Sequence, residues 1–172
     1  MGTDNNALII LANHDFRDEE YLETYQALRD AGVETKIAAN SNEDCRGVTG
    51  TTVSVDYTFD EIDPIQYSAV VLIGGVGIQG YLHDESLHKL VIDFLANGKI
   101  VAAICWAPAI LANAGVLNGK KATVWVGASE DLSKSGAEYT AETVTVDGNI
   151  ITANGPDAAS KFGATIAEMI IG

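Results

Sequence analysis

The segment Val101-Ala102-Ala103-Ile104-Cys105-Trp106-Ala107-Pro108 narrows the fold more than any other stretch of the chain. Four apolar residues in a row suit a strand covered on both faces. After Cys105, the run Ala107-Pro108-Ala109-Ile110-Leu111-Ala112 reads as the opening of a helix. Pro108 is acceptable there, because an N–H in a first helical turn has no intrahelical partner. A strand that turns into a helix at a nucleophile is a nucleophile elbow. So tight a turn requires small residues two before and two after the nucleophile, and these are Ala103 and Ala107. A helix N-terminus under Cys105 is expected to favour its thiolate, since free N–H groups and the helix dipole stabilise negative charge. A cysteine in an apolar run can equally be a small buried hydrophobe, so the elbow carries the reading and the residue type does not.

The remaining pattern alternates short apolar runs with amphipathic stretches. Strands are predicted over Ala7–Ala12, Val33–Ala39, Ala69–Ile73 and Lys99–Ile104, then over Ala122–Val126, Thr143–Val146 and Asn149–Ala153. Helices are predicted over Asp18–Ala31, Ser86–Ala96 and Ala158–Ile171, with Gly32 and Gly98 closing the first two. Arg46–Val55 suits a small hairpin, and Phe59–Tyr67 an acidic connection. Strands alternating with helices imply right-handed crossovers and a mostly parallel sheet covered on both faces. The expected fold is a flavodoxin-like three-layer α/β/α sandwich. Sites in such sheets gather at the carboxyl ends of strands. Three segments meet that condition: Asn13–Glu20, Gly74–Gly80 and Cys105-Trp106.

The 172 residues are most simply one domain, 1–172, long enough to bury a substantial core. The net charge of −14 argues against nucleic acid and anionic membrane surfaces as partners. No apolar run approaches the ~20 residues of a membrane span. Asp4, Asn5 and Asn6 stand where a secretion signal needs a basic start, so none is expected. Two cysteines, Cys45 and Cys105, make no disulfide framework, which leads to a cytoplasmic protein with reduced thiols. Cys45, in the polar stretch Ser41–Arg46, is expected to be exposed and incidental.

Taken together, these motifs resemble the ThiJ/PfpI superfamily, a class I glutamine amidotransferase-like group whose members include protein deglycases and intracellular proteases. The resemblance spans nearly the whole chain. It rests on Ala103-Ile104-Cys105 with Ala107-Pro108, on Val71-Leu72-Ile73-Gly74-Gly75, and on Glu20 at the start of the first helix. Ala114-Gly115-Val116-Leu117 with Gly119-Lys120, and Val146-Asp147-Gly148-Asn149, complete it. The resemblance implies that Cys105 is the reactive cysteine. Its implied partner is a protonated carboxyl donating to the sulfur, a role for which the acidic stretch offers Glu19, Glu20 and Glu23. The family spacing, counted back from Gly32, selects Glu20. Gly75 and the backbone N–H of Trp106 are implied as an oxyanion hole, with Gly74 as an auxiliary residue. The family's usual proline before the two glycines is Ile73 here. Homo-oligomers, most simply dimers, are the family habit.

Protease-type members usually place a histidine directly after the cysteine, where this chain has Trp106. Some members place one after the strand corresponding to Ala122–Val126, where Val124-Trp125-Val126 stands. Of His14, His83 and His88, only His14 lies at a strand's carboxyl end, and it is an auxiliary candidate or a solvent-exposed loop residue. No metal-ligand spacing is present, and no cofactor is expected. The implied activity is glyoxalase- or deglycase-like, on small reactive carbonyl compounds, in stress protection. The alternative is a redox sensor in which an oxidant converts Cys105 to a sulfinate without turnover. A PfpI-like peptidase ranks lower, because Trp106 cannot serve as a base.

Overall fold

The structure, a computed structural model, describes residues 5–172. Asp4 lies outside the described residues. In chain order the strands are β1 (Asn6–Ile10), β2 (His14–Phe16), β3 (Glu34–Ala39), β4 (Cys45–Gly47), β5 (Thr52–Val53), β6 (Tyr57–Thr58), β7 (Ala69–Leu72) and β8 (Ile100–Ile104). They continue with β9 (Lys121–Ala122), β10 (Glu138–Tyr139), β11 (Val144–Asp147) and β12 (Ile150–Ala153). The helices are α1 (Asp18–Asp30), α2 (Glu85–Ala96), α3 (Pro108–Asn113), α4 (Ser129–Lys134) and α5 (Ala159–Ile171).

Seven strands form the central sheet in the order β11-β12-β8-β7-β1-β3-β6. Every pairing is parallel except β11 with β12. Alternate side chains of β1 enter different cores. Ala7 and Ile9 pack with Tyr21, Leu28, Phe162 and Ile166 of α1 and α5, while Leu8 and Ile10 pack with Leu87, Val91 and Phe94 of α2. Burial on both faces explains why β1, β7 and β8 read as unbroken apolar runs. The expected three-layer sandwich is therefore the observed one. From β1 the chain moves outward to β3, then crosses back to β7 and β8 on the other side. This reversal places a crevice at the carboxyl ends of β1 and β7, where open α/β sheets hold their sites.

The two long helices on one face meet closely. A Cβ on Gly163 of α5 would fall 2.8 Å from Ala27 Cβ and 3.0 Å from Thr24 Cα of α1. Only a glycine lets these backbones approach so far. Gly32 follows α1 at φ +77° and ends it as expected. Asp84 caps α2 by accepting from Leu87 N at 2.9 Å.

Two expectations need correction. The strand predicted over Ala122–Val126 shrinks to Lys121–Ala122, which pairs with β10 away from the main sheet. The backbone beyond it is bonded elsewhere: Thr123 N donates to Thr152 Oγ1 at 2.9 Å and Trp125 N to Cys105 O at 2.8 Å. A short 3-10 turn, Val126–Ala128, follows. The second correction concerns Cys45, which is fully buried in β4. Its sulfur lies 3.9 Å from Asn13 Nδ2, and burial pushes its thiol up to about 12. The hairpin expected over Arg46–Val55 is present as antiparallel β4 and β5. Unforeseen are β2, parallel to β4, and a 3-10 stretch over Val76–Tyr81. Among the described residues no helix is long and apolar enough to cross a membrane.

Candidate active site

Cys105 follows the last residue of β8 and adopts φ +62°, a left-handed conformation that costs a side-chain-bearing residue energy. Its surroundings hold it there. Cys105 N donates to Ala153 O at 2.9 Å, Cys105 O accepts from Trp125 N at 2.8 Å, and Ala107 N donates to Ile104 O at 3.0 Å. Ala103 and Ala107 are both fully buried, so the turn leaves no room for larger flanks. The thiol itself is half-buried.

Three chain segments converge on that thiol. Arg17 N donates to Gly74 O at 3.0 Å, joining the start of α1 to the turn after β7. Gly74 N donates to Oε2 of Glu20 at 3.0 Å. Glu20 also shares a hydrogen bond with the Cys105 thiol, and its other oxygen, Oε1, is buried with no hydrogen-bond partner. Oε2 is thus the oxygen held by the turn, with the thiol as its neighbour. Neither glycine of the turn can be replaced without displacement. A Cβ on Gly74 would stand 2.6 Å from Cys105 Cβ and 2.7 Å from Glu20 Oε2. Gly75 has φ +112°, and a Cβ there would stand 2.5 Å from Arg17 N.

Electrostatics follow from this burial. Desolvation raises Glu20 to about 7, against the lowering influence of its bonds to Cys105 and Gly74 and of the Arg17 charge. Desolvation likewise pushes Cys105 up to about 12, and Glu20 adds to the rise through its charge and hydrogen bond. The N–H groups of Trp106 and Gly75 act the other way, donating to the sulfur and lowering its pKa. The N–H groups at the elbow favour the thiolate as expected, but they are not the largest influence on it. Helix α3 has six residues, and burial with a neighbouring carboxyl outweighs it. The first proton lost belongs to the Glu20–Cys105 pair. Arg17 extends at the rim of the site, ion-paired to Glu19 Oε2 at 2.7 Å.

Cys105, Glu20, Gly74, Gly75 and Trp106 are accordingly neighbours. Glu19 points to Arg17 and not to the thiol. His14 does not join them. It is exposed on β2, opposite Arg46 in register, and lines a 350 Å³ cleft with Asn13, Asn40 and Tyr81. His88 on α2 donates from Nε2 to Leu82 O at 2.9 Å, in the loop before the helix. Sequence reasoning missed the pairing of Trp106 with Trp125, whose ring centroids lie 4.9 Å apart at 40°. It also missed Gly74 as the donor that seats Glu20. The Gly-Gly pair after an apolar strand was the available signal for the latter.

A parallel α/β sheet with a cysteine elbow facing a buried carboxyl and a glycine turn is the arrangement of a cysteine-centred ThiJ/PfpI-type protein. The chain belongs to the DJ-1/PfpI family, whose model matches residues 5–169. It is 35% identical to "Deglycase PfpI" of Pyrococcus furiosus over 149 residues, covering 87% of this chain and 90% of that protein. It is 32% identical to "Protein dj-1beta" of Drosophila melanogaster over 169 residues, covering 97% of this chain and 90% of that one. The crystal structure of a ThiJ/PfpI domain protein from Brachyspira murdochii is similar with a TM-score of 0.96 at 32% identity, covering 99% of this chain and 98% of that chain.

Proposed function

We propose that the protein converts small reactive carbonyl compounds, in a glyoxalase- or deglycase-like reaction of stress protection, with Cys105 as nucleophile and Glu20 as proton carrier. The observation that carries this is the buried Glu20 carboxyl, raised to about 7 and hydrogen-bonded to the elbow thiol. A group poised near neutrality can both accept and return a proton. The names of relatives such as "Deglycase PfpI" support the same class.

In this reading the Cys105 sulfur adds to the aldehyde carbon of an α-oxoaldehyde, and the former carbonyl oxygen takes up a proton. Backbone N–H groups of Gly75 and Trp106 stabilise the oxyanion as it forms. Glu20 accepts the proton on that carbon and returns it to the adjacent carbon, while the hydroxyl proton of the first carbon passes to the adjacent oxygen, leaving a thioester carbonyl beside a new hydroxyl. One carbon is oxidised and its neighbour reduced, so no outside oxidant is needed. Water then cleaves the thioester, releasing a 2-hydroxy acid and the free thiol. The test is methylglyoxal consumption with lactate detection. Wild-type protein should form lactate, and Cys105→Ser should not; a wild type that forms none refutes the reading.

Peptide cleavage is expected to be absent or very weak. Expelling an amine requires an acid and a base around the thiol, and Trp106 and Trp125 offer neither. Cys105-dependent casein cleavage at ordinary enzyme rates would overturn this. A redox-sensing reading draws on the half-buried thiol beside Glu20. Two equivalents of peroxide, each reduced to water, would take the sulfur to a sulfinate. Rapid peroxide oxidation of Cys105 in a protein without carbonyl turnover would favour it. We also take residues 1–172 as one cytoplasmic domain that forms a homo-oligomer, most simply a dimer. Light scattering showing a monomer at micromolar concentration would contradict the last point.

A further inference from the structure

We propose that Trp106 and Trp125 form an aromatic subsite that selects reactive carbonyl compounds bearing a flat aryl substituent over those bearing an alkyl one. The inference rests on the carbonyl reading above and names the substrate class within it.

Both indoles are tied to the nucleophile by its own backbone. Trp106 is joined by the peptide bond that follows Cys105, and Trp125 N donates to Cys105 O at 2.8 Å. Their rings meet at 4.9 Å between centroids with 40° between planes. Trp106 is partly buried against the core, whereas Trp125 keeps 39% of its surface open. The six-membered ring of Trp125 lies over Gly127, where a Cβ would fall 2.0 Å from the ring edge, so a larger residue there would displace the indole. Ala128 N closes the following turn on Trp125 O at 2.9 Å. Upstream, Thr123 N is bonded to Thr152 Oγ1 at 2.9 Å, and Thr123 Oγ1 donates to Glu142 O at 2.6 Å.

Packing on a core does not account for an indole that is partly open and whose backbone is bonded to that of the nucleophile. A fixed apolar surface at the edge of a polar site is what binds the non-reacting part of a small substrate. Two tilted rings present both a π face and a π edge. Aryl groups gain from such surfaces through offset or edge-to-face contact, beyond the area they bury, whereas a methyl group gains only area. The net charge of −14 favours neutral aryl compounds over anionic ones.

The test has two arms. The first compares kcat/KM for phenylglyoxal and methylglyoxal. Wild-type protein should prefer the aryl compound about tenfold, Trp125→Ala should lose most of that ratio, and Trp125→Phe should keep most of it. A ratio that is the same in wild type and Trp125→Ala overturns the proposal even where methylglyoxal turnover stands. The second arm is independent of turnover and of any variant at a tryptophan. Acetophenone is titrated into Cys105→Ser while the indole N–H signals of the two tryptophans are followed by NMR. Saturable shifts of both signals, with none from acetone at equal concentration, support the subsite even if wild type consumes no carbonyl compound. Equal responses to acetone and acetophenone, or no response, overturn it, including where Trp125→Ala fails to fold.

Discussion

Gly74 lies so close to Cys105 that a Cβ built on the glycine would stand 2.6 Å from that of the cysteine and 2.7 Å from Oε2 of Glu20. The missing side chain is therefore part of the geometry that lets the carboxyl and the thiol lie side by side. Gly74→Ala should destabilise the protein by roughly 1–3 kcal/mol, the scale of overpacking, and should change the rate of Cys105 alkylation. Urea melts and iodoacetamide labelling check both. A variant with wild-type stability and labelling would show that the turn has room to yield.

The alkylation rate of Cys105 should rise with pH in two steps, one near 7 and one near 12. The first follows the first ionisation of the Glu20–Cys105 pair, and the second the loss of its remaining proton. Glu20→Gln should give a single step below 12, because no carboxylate then opposes the thiolate. Iodoacetamide rates across pH decide this. A variant that retains the step near 7 would remove Glu20 from the pair.

Stability should fall on both sides of a mildly acidic optimum. Burial alone would raise Asp18, but hydrogen bonds from Thr49 and Thr51 outweigh it and lower the carboxyl from 3.8 to about 2. Its contribution is present above 3.8 and is lost as pH falls through 2. Glu20 has the opposite sign: raised from 4.5 to about 7, it contributes fully below 4.5 and less as pH rises through 7. Urea melts across pH should show Glu20→Gln flattening the decline between 4.5 and 7. Asp18→Ala should cost roughly 3 kcal/mol near neutral pH, the scale of losing hydrogen bonds to a buried charge.

Of the two cysteines, Cys105 should be labelled by iodoacetamide first, near neutral pH. Burial raises both thiols to about 12, so access decides: Cys45 is fully buried, whereas Cys105 is half-buried. Mass spectrometry after brief labelling should find Cys105 modified at least tenfold more. Faster modification of Cys45 would mean that β4 opens readily.

What could be read from the sequence was what neighbouring residues determine. Apolar runs at Ala69–Ile73 and Lys99–Ile104 gave strands, and small residues around Cys105 gave the elbow. Glu20 could be singled out only through family spacing, because Glu19 and Glu23 have the same chemistry; the contact with Gly74 distinguishes it in the fold. Features set by distant partners were not legible. Thr123 and Trp125 look like strand residues until Thr152 and Cys105 take their N–H groups. Cys45 follows Asn42-Glu43-Asp44 in sequence, yet its side chain turns inward towards Asn13. Nothing local shows that Trp106 and Trp125 meet.

The close contact at Gly163 has a consequence for when the site comes into being. Glu20 is synthesised early, and all the strands that surround Cys105 precede α5. Yet α1, which carries Glu20, is backed by Gly163 at Thr24, one helical turn further along. During synthesis the nascent chain can hold nucleophile, glycine turn and carboxyl while the carboxyl's helix still lacks its outer support. The support behind that carboxyl is thus supplied by a helix that follows every strand in chain order. A bulky residue at position 163 would act on the carboxyl from behind, through a helix that never touches the thiol.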